Sequence, residues 1–431
     1  MLHRLPWRLP WRLSWRRLGR LLALACLLVT LGPSTTASAQ ALSFWSWRVE
    51  DKAFYDEIAK EFETRNPGIS VKFTPYRNTE YATILSSALA AGSGPDIIHA
   101  RAYGALAQLA DAGFLLPLDA TLVKGLDDFP PALLAAARGR KDPRVFGVPF
   151  ATQTIGVFYN KPLLRKAGAE ALPPTWGELL KLLDRIRKAG LVPVANGGKE
   201  GAVLEQVFGA VGPMFYGGTA LFGDVVSGKR DFTDPGFVRA LKEVQALAPY
   251  LPPGFMGVGY DDQRALFFNE QAVLMFGGSW EIGYLRAQSK GLDFGFAPAP
   301  PESAGGPQYV SHFADGNYSI NAKTPHRAAA AKFVAYLATK EYGQKFTSQL
   351  AQVSAVPGVQ STDPVLSQVI AYNAKLATPY VMLVGFRYEN PTGSKLLQDG
   401  LQSLMSGRAT AEQVASEITK GVATWHKPFQ H

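Results

Sequence analysis

Four short stretches of this 431-residue chain place aromatic and charged side chains together where strands should end. Trp47-Arg48-Val49-Glu50-Asp51 follows a first apolar run, Tyr76-Arg77-Asn78 a second, His99-Ala100-Arg101-Ala102-Tyr103 a third and Trp280-Glu281 a later one. A strand-to-helix turn closes at lower cost on Gly or Ser, so a flat ring among charges asks for a reason. None of these turns has the glycine run that cradles phosphate. The mixture suits a sugar, whose ring C–H face packs on an aromatic and whose hydroxyls both donate and accept. One stacked ring contributes roughly 2–3 kcal/mol from the area it covers. Micromolar binding needs about 8 kcal/mol, which two aromatics and several charge-assisted hydrogen bonds reach. The candidate contacts are Trp47, Arg48, Glu50, Asp51, Arg77, Arg101, Tyr103, Trp280 and Glu281, with His312, Asp315 and Tyr388 added. Plainer roles compete: Trp47 packed in a lid, Arg48 paired with Glu50 or Asp51, Arg77 and Arg101 with surface acids, Tyr103 opening its helix.

The elements that would hold these residues alternate. Residues 42–47, 69–73 and 96–99 read as strands. Residues 51–63, 79–90 and 103–111 read as helices, the first with Phe54, Ile58, Ala59 and Phe62 on one face and closed by Asn66-Pro67-Gly68. Strand-helix alternation predicts a parallel sheet with helices on both faces, and ligands in such sheets sit beyond the carboxyl ends of the strands. Further strands are expected over 156–159, 272–276 and 317–321, and helices over 325–339 and 394–425. Thr175, with Glu178 three residues on, reads as a capping box.

The first 39 residues are set apart. Six Arg and no acid lie in 1–20, Leu-x-Trp-Arg occurs three times, an eleven-residue apolar run spans 21–31, and Ala37-Ser38-Ala39 precedes Gln40. That is the layout of a secretory signal peptide, too short in its apolar centre to span a membrane. The lone Cys26 lies inside the apolar run, not at a cleavage point, so the mature chain is expected to have no disulfide. Without the leader, 38 basic residues face 35 acidic ones, which removes the argument for nucleic acid. About 392 residues remain, enough for two domains. No phosphate loop or zinc helix motif occurs, and the nearest approach to a nucleophile elbow, Gly277-Gly-Ser-Trp-Glu281, has Glu in place of its second Gly.

In order and spacing, FWSWRVEDKAFYDEIAKEFETRNPGISVKF, SALAAGSGPDIIHA, GFLLPLD, GVFYNKPLLRKAGAEALPPTWGEL, AVLMFGGSW and NYSINAKTPHRAAAAKFVAYL resemble the sugar-type solute-binding proteins (family 1) of bacterial ABC importers. The resemblance implies two doubly wound α/β lobes of the type II periplasmic-binding kind, joined by three crossings near 149–153, 296–300 and 353–358. The lobes would comprise 40–150 with 299–355, and 151–298 with 356–431. It implies no enzyme activity and no cofactor or metal. It also implies an exported, periplasmic or envelope-associated monomer that delivers ligand to a membrane permease. By position, Trp47–Asp51, Gln153 and Trp280 match the family's sugar contacts; His99-Ala-Arg-Ala-Tyr103 departs from it, leaving the sugar's identity open. Two alternatives are the same fold binding a glycerol phosphodiester or other phosphate ester, and a secreted glycoside hydrolase.

Overall fold

The computed structural model describes His3 and residues 40–430; the rest of the expected leader lies outside the described residues. The first lobe opens with β1 (Gln40–Ser46), the helix Lys52–Arg65, β2 (Ile69–Pro75), the helix Asn78–Ala90, β3 (Ile97–Arg101) and the helix Gly104–Asp111. β1 lies between β2 and β3 and pairs in parallel with both. The first helix forms because Phe54, Tyr55, Ile58, Ala59 and Phe62 make one buried stripe against the sheet. It ends where Gly68 adopts φ +90°, a left-handed turn that costs other residues more.

The second lobe is entered along β4 (Val148–Asn160), thirteen residues of which twelve are buried. It continues through β5 (Val192–Val194), β6 (Ala272–Gly278) and β7 (Phe294–Ala297). The chain returns along β8 (Val310–Ile320), and the short β9 (Val353–Ser354) and β10 (Ala377–Pro379) complete one curled sheet, ordered β2-β1-β3-β8-β4-β6-β5. β4 serves both lobes: its start pairs with β8 and β9, its end with β6 and β7, all antiparallel. β8 likewise pairs with β3 at its far end and with β10 at its near end.

Two large cores follow this division. One gathers Phe44, Phe62, Ile98, Phe150, Tyr318 and Phe346. The other gathers Val157, Trp176, Phe208, Phe237, Phe276 and Tyr380. The molecule is thus two α/β lobes with helices on both faces, linked by the shared strands.

The second crossing differs from the expected 296–300. β7 stays in the second lobe, pairing with β4 at Val157–Asn160, with Phe296 packed on Phe158 at 4.9 Å. Pro298, Pro300 and Pro301 end it, and Ala299 belongs to the second core. The chain crosses instead within β8, between Phe313 in the second core and Tyr318 in the first. Of the box at Thr175, the cap itself is present: its side chain accepts the Glu178 amide at 3.3 Å. The expected long C-terminal helix is two, Gly393–Met405 and Ala411–Ala423, the first followed by Gly407 at positive φ.

Candidate functional site

On the first lobe, the loop after β1 folds around Arg48. The Arg48 amide donates to Ser46 Oγ at 3.0 Å, and its guanidinium pairs with Asp51 and lies 3.6 Å from both Glu50 and Asp315. Only 3 % of Arg48 is exposed. Burial works to lower its pKa, but the three carboxylates outweigh it, so the net direction is upward and the group stays charged. Asp51 precedes the first helix without capping it, because its carboxylate is turned to Arg48. This buried ion pair supports the loop, and losing either partner would strand the other charge.

Of the two roles open to Trp47, the structure shows packing. His99 stacks on it at 4.4 Å, and the Arg101 guanidinium lies 4.2 Å from its ring centroid, leaving 4 % of the residue exposed. Gly316 of β8 makes room for the indole: a Cβ there would stand 2.7 Å from it. Trp47 is therefore a buried support that carries Arg101. His99 also lies in the first core, bonded to Ser46 Oγ at 2.7 Å. Burial, then the charges of Arg48 and Arg101, push its pKa well down, which keeps it neutral.

Arg101 donates to Asn78 Oδ1. Tyr103 takes φ +60° before its helix, and its hydroxyl accepts the Ala314 amide of β8 at 2.9 Å. Arg77 stands apart, its side chain 81 % exposed and 4.0 Å from Glu80.

The second lobe contributes Trp280 at the end of β6. Its ring lies over Gly278, where a Cβ would come within 1.8 Å of it. Gly278 thus makes room for the indole itself, whereas a Cβ on Gly277 would meet nothing closer than 3.6 Å. Trp280 Nε1 donates to Tyr260 Oη and Glu281 Oε1, both at 2.9 Å. Glu281 is fully buried and accepts Arg264 Nε at 2.8 Å. Arg264 sits between the rings of Tyr260 and Tyr284, at 3.9 and 4.2 Å. Burial lowers its pKa, but Glu281 outweighs this and holds it above the usual value. Tyr260 and Arg264 escaped the sequence reading; their only signal is spacing one turn apart on the helix Tyr260–Phe268.

Gln153, at the crossing in β4, joins the two halves. Its Nε2 donates to Asp315 Oδ2 at 3.0 Å and Gln352 Oε1 at 3.1 Å, and its Oε1 accepts Ser279 Oγ at 2.8 Å. A chain of polar contacts thus runs from Arg48 through Asp315 and Gln153 to Ser279, beside Trp280. Glu50 also acts across the lobes, its charge helping to raise the pKa of Arg264. Tyr388 lies at another edge, its carbonyl accepting Gln108 Nε2 at 2.9 Å and Arg140 lying 5.7 Å from its ring. His312 is largely buried beside Thr154, which pushes its pKa down to about 4.

Two α/β lobes facing each other across shared strands, with aromatic and charged groups collected between them, define a two-lobed binding protein. A family model of bacterial extracellular solute-binding proteins matches residues 45–344, and the chain belongs to that family. The multiple sugar-binding protein of Streptococcus mutans is 26% identical over 331 residues, 74% of this chain and 76% of that one. A maltotriose-binding protein of Pyrococcus abyssi is 24% identical over 340 residues, 77% of this chain and 69% of that one. Among solved structures, a chitin oligosaccharide binding protein superposes with TM-score 0.79 at 22% identity, over 90% of this chain and 99% of the other. A bacterial solute receptor described as having an exclusive preference for β-D-galactopyranose superposes with TM-score 0.76 at 21% identity, over 90% and 99% of the two chains. Among the described residues no helix is long and apolar enough to cross a membrane.

Proposed function

We propose that this chain is the receptor component of an ABC importer, capturing a carbohydrate between its lobes and presenting it to a membrane permease. The observation that carries the reading is the placement of Trp280, a partly exposed indole on the second lobe beside the Gln153–Asp315–Arg48 network of the first. An indole offers an apolar face to a pyranose, and fixed charged groups bind its hydroxyls. Ligand drives closure by binding the closed arrangement better than the open one, which it does when both lobes touch it. The lobes divide at β4, within β8 and near β9.

The protein acts as an exported monomer, periplasmic or tethered to the envelope, and as a receptor without catalysis. The two most deeply buried site acids, Asp51 and Glu281, are each paired with an arginine of the protein, so neither stands free to face a glycosidic bond. Thermal unfolding across mono-, di- and trisaccharides tests the reading, since a ligand bound only by the folded form stabilises it. A sugar recovered intact after prolonged incubation agrees with a receptor. Cleavage of the sugar, or no response to any, rejects it.

A further inference from the structure

One stretch without regular structure ties the lobes together beside the site. Residues 386–391 lie between the helices Val381–Gly385 and Gly393–Met405 of the second lobe. Both ends of the stretch belong to that lobe: Phe386 is buried in its core, and the Pro391 carbonyl accepts Trp425 Nε1 at 2.9 Å. Its middle rests on the first lobe. The Tyr388 carbonyl accepts Gln108 Nε2 at 2.9 Å. Arg140 Nη1 reaches Glu389 at 3.4 Å, and the same guanidinium lies 5.7 Å from the Tyr388 ring and 5.8 Å from that of Trp425. The backbones themselves touch, since a Cβ on Gly104 would stand 1.9 Å from the Arg387 carbonyl oxygen and 2.5 Å from the Tyr388 amide nitrogen.

This bridge adjoins the site from both lobes. On the first, Gly104 follows the turn of Arg101 and Tyr103, and Arg101 covers Trp47. On the second, Tyr380 precedes the helix Val381–Gly385 and packs on Phe313 at 6.2 Å, and Phe313 packs on Trp280 at 6.3 Å. A second flank runs between the loop of Glu50 and the helix Tyr260–Phe268, whose Tyr260 anchors Trp280. Among the described residues, no hydrogen bond or ion pair joins residues 47–52 to residues 255–290. The side chain of Glu50 is 37 % exposed and that of Asp261 90 %. One flank is closed by packed main chain; the other is lined by hydrated acids without a bond across it.

A sugar ring cannot pass where main-chain atoms of both lobes are in contact, whereas solvated side chains give way to it. We propose that the groove is blind at the bridge and open past Glu50 and Asp261, so that the receptor takes its carbohydrate by one terminus. The inference rests on the carbohydrate reading above. The end unit lies inside, against the bridge and beside Trp280, and further units lead out into water. Such a site selects for what the inserted end carries and sets no limit on chain length.

Calorimetric titration of the full chain tests this, using glucose, galactose and the maltose, cellobiose, xylobiose and chitobiose series up to hexamers. The tightest binder is then compared with two derivatives, each carrying one benzyl group, on the reducing-end O1 or on O4 of the other end. Affinity is expected to level off with chain length, and one derivative to bind on the order of tenfold or more weaker while the other binds like the parent. Tyr388→Ala combined with Arg140→Ala should narrow that gap while unfolding stays cooperative. If that pair unfolds, Arg140→Ala with Glu389→Ala, both exposed side chains, takes its place. Equal tolerance of both derivatives, rejection of both, or affinity that falls with length overturns the one-ended groove and leaves the carbohydrate reading standing. A gap unchanged in the variants overturns the role of the bridge. Binding of monosaccharides alone overturns this proposal only. Binding of no sugar overturns the carbohydrate reading and this proposal with it.

Discussion

Trp280 and Trp47 show how two indoles at strand ends take different parts. Trp280 is anchored through Nε1 and seated on Gly278, which leaves its ring partly exposed and makes it the sugar platform in the proposed function. Trp280→Ala should weaken sugar binding by about 2 kcal/mol; unchanged affinity in calorimetry would remove it from the site. Acid should also act on single residues. The folded-state pKa of His312, about 4, lies below its ordinary value of 6.5 because the ring is buried. As pH falls, the unfolded chain takes up its proton first. This contribution to stability is therefore intact above pH 6.5 and is lost progressively between 6.5 and 4. The loss is about 3 kcal/mol. Urea unfolding from pH 7.5 to 4 should show the decline, and His312→Gln should flatten it.

At the scale of elements, close backbone approaches determine what each strand end can display. β6 ends on Gly278, and a methyl group there would collide with the six-membered ring of Trp280. Gly278→Ala is expected to displace the indole, cost about 1–3 kcal/mol of stability, and reduce sugar affinity as much as removing Trp280. Near-normal affinity would show that the ring's seat does not matter. The elements themselves were legible in the sequence because their periodicities are local. The stripe of Phe54, Ile58 and Phe62 specified the first helix, and the alternation of 69–73 its strand. The crossing at β8 was not legible. Gly-Phe-Ala-Pro at 295–298 reads as a hinge, and only the pairing of β7 with β4 shows that the chain turns back there.

Across the whole molecule, one close approach between the lobes needs a residue without a side chain. Gly104→Ala would push a methyl group into the Arg387 carbonyl. The expected result is a variant that folds with near-normal unfolding temperature but resists closing. Small-angle scattering should then show a larger radius with ligand than the wild type has, together with weaker apparent affinity. A variant as compact and as tight as the wild type would mean that this contact does not limit closure.

The order of types along the chain settled by itself that this is an α/β protein with aromatic and charged residues at strand ends, since pattern and turn chemistry are properties of neighbours in sequence. It also singled out Trp280, Arg48 and Asp51 before any contact was known. Tertiary structure alone decided that Trp47 is covered by His99 and Arg101, and that Arg264 is stacked between two tyrosines on Glu281. It alone brought Arg387, nearly three hundred residues away along the chain, against the turn after β3. Burial and the meeting of charges depend on which surfaces the folded chain brings together, and no local pattern encodes them.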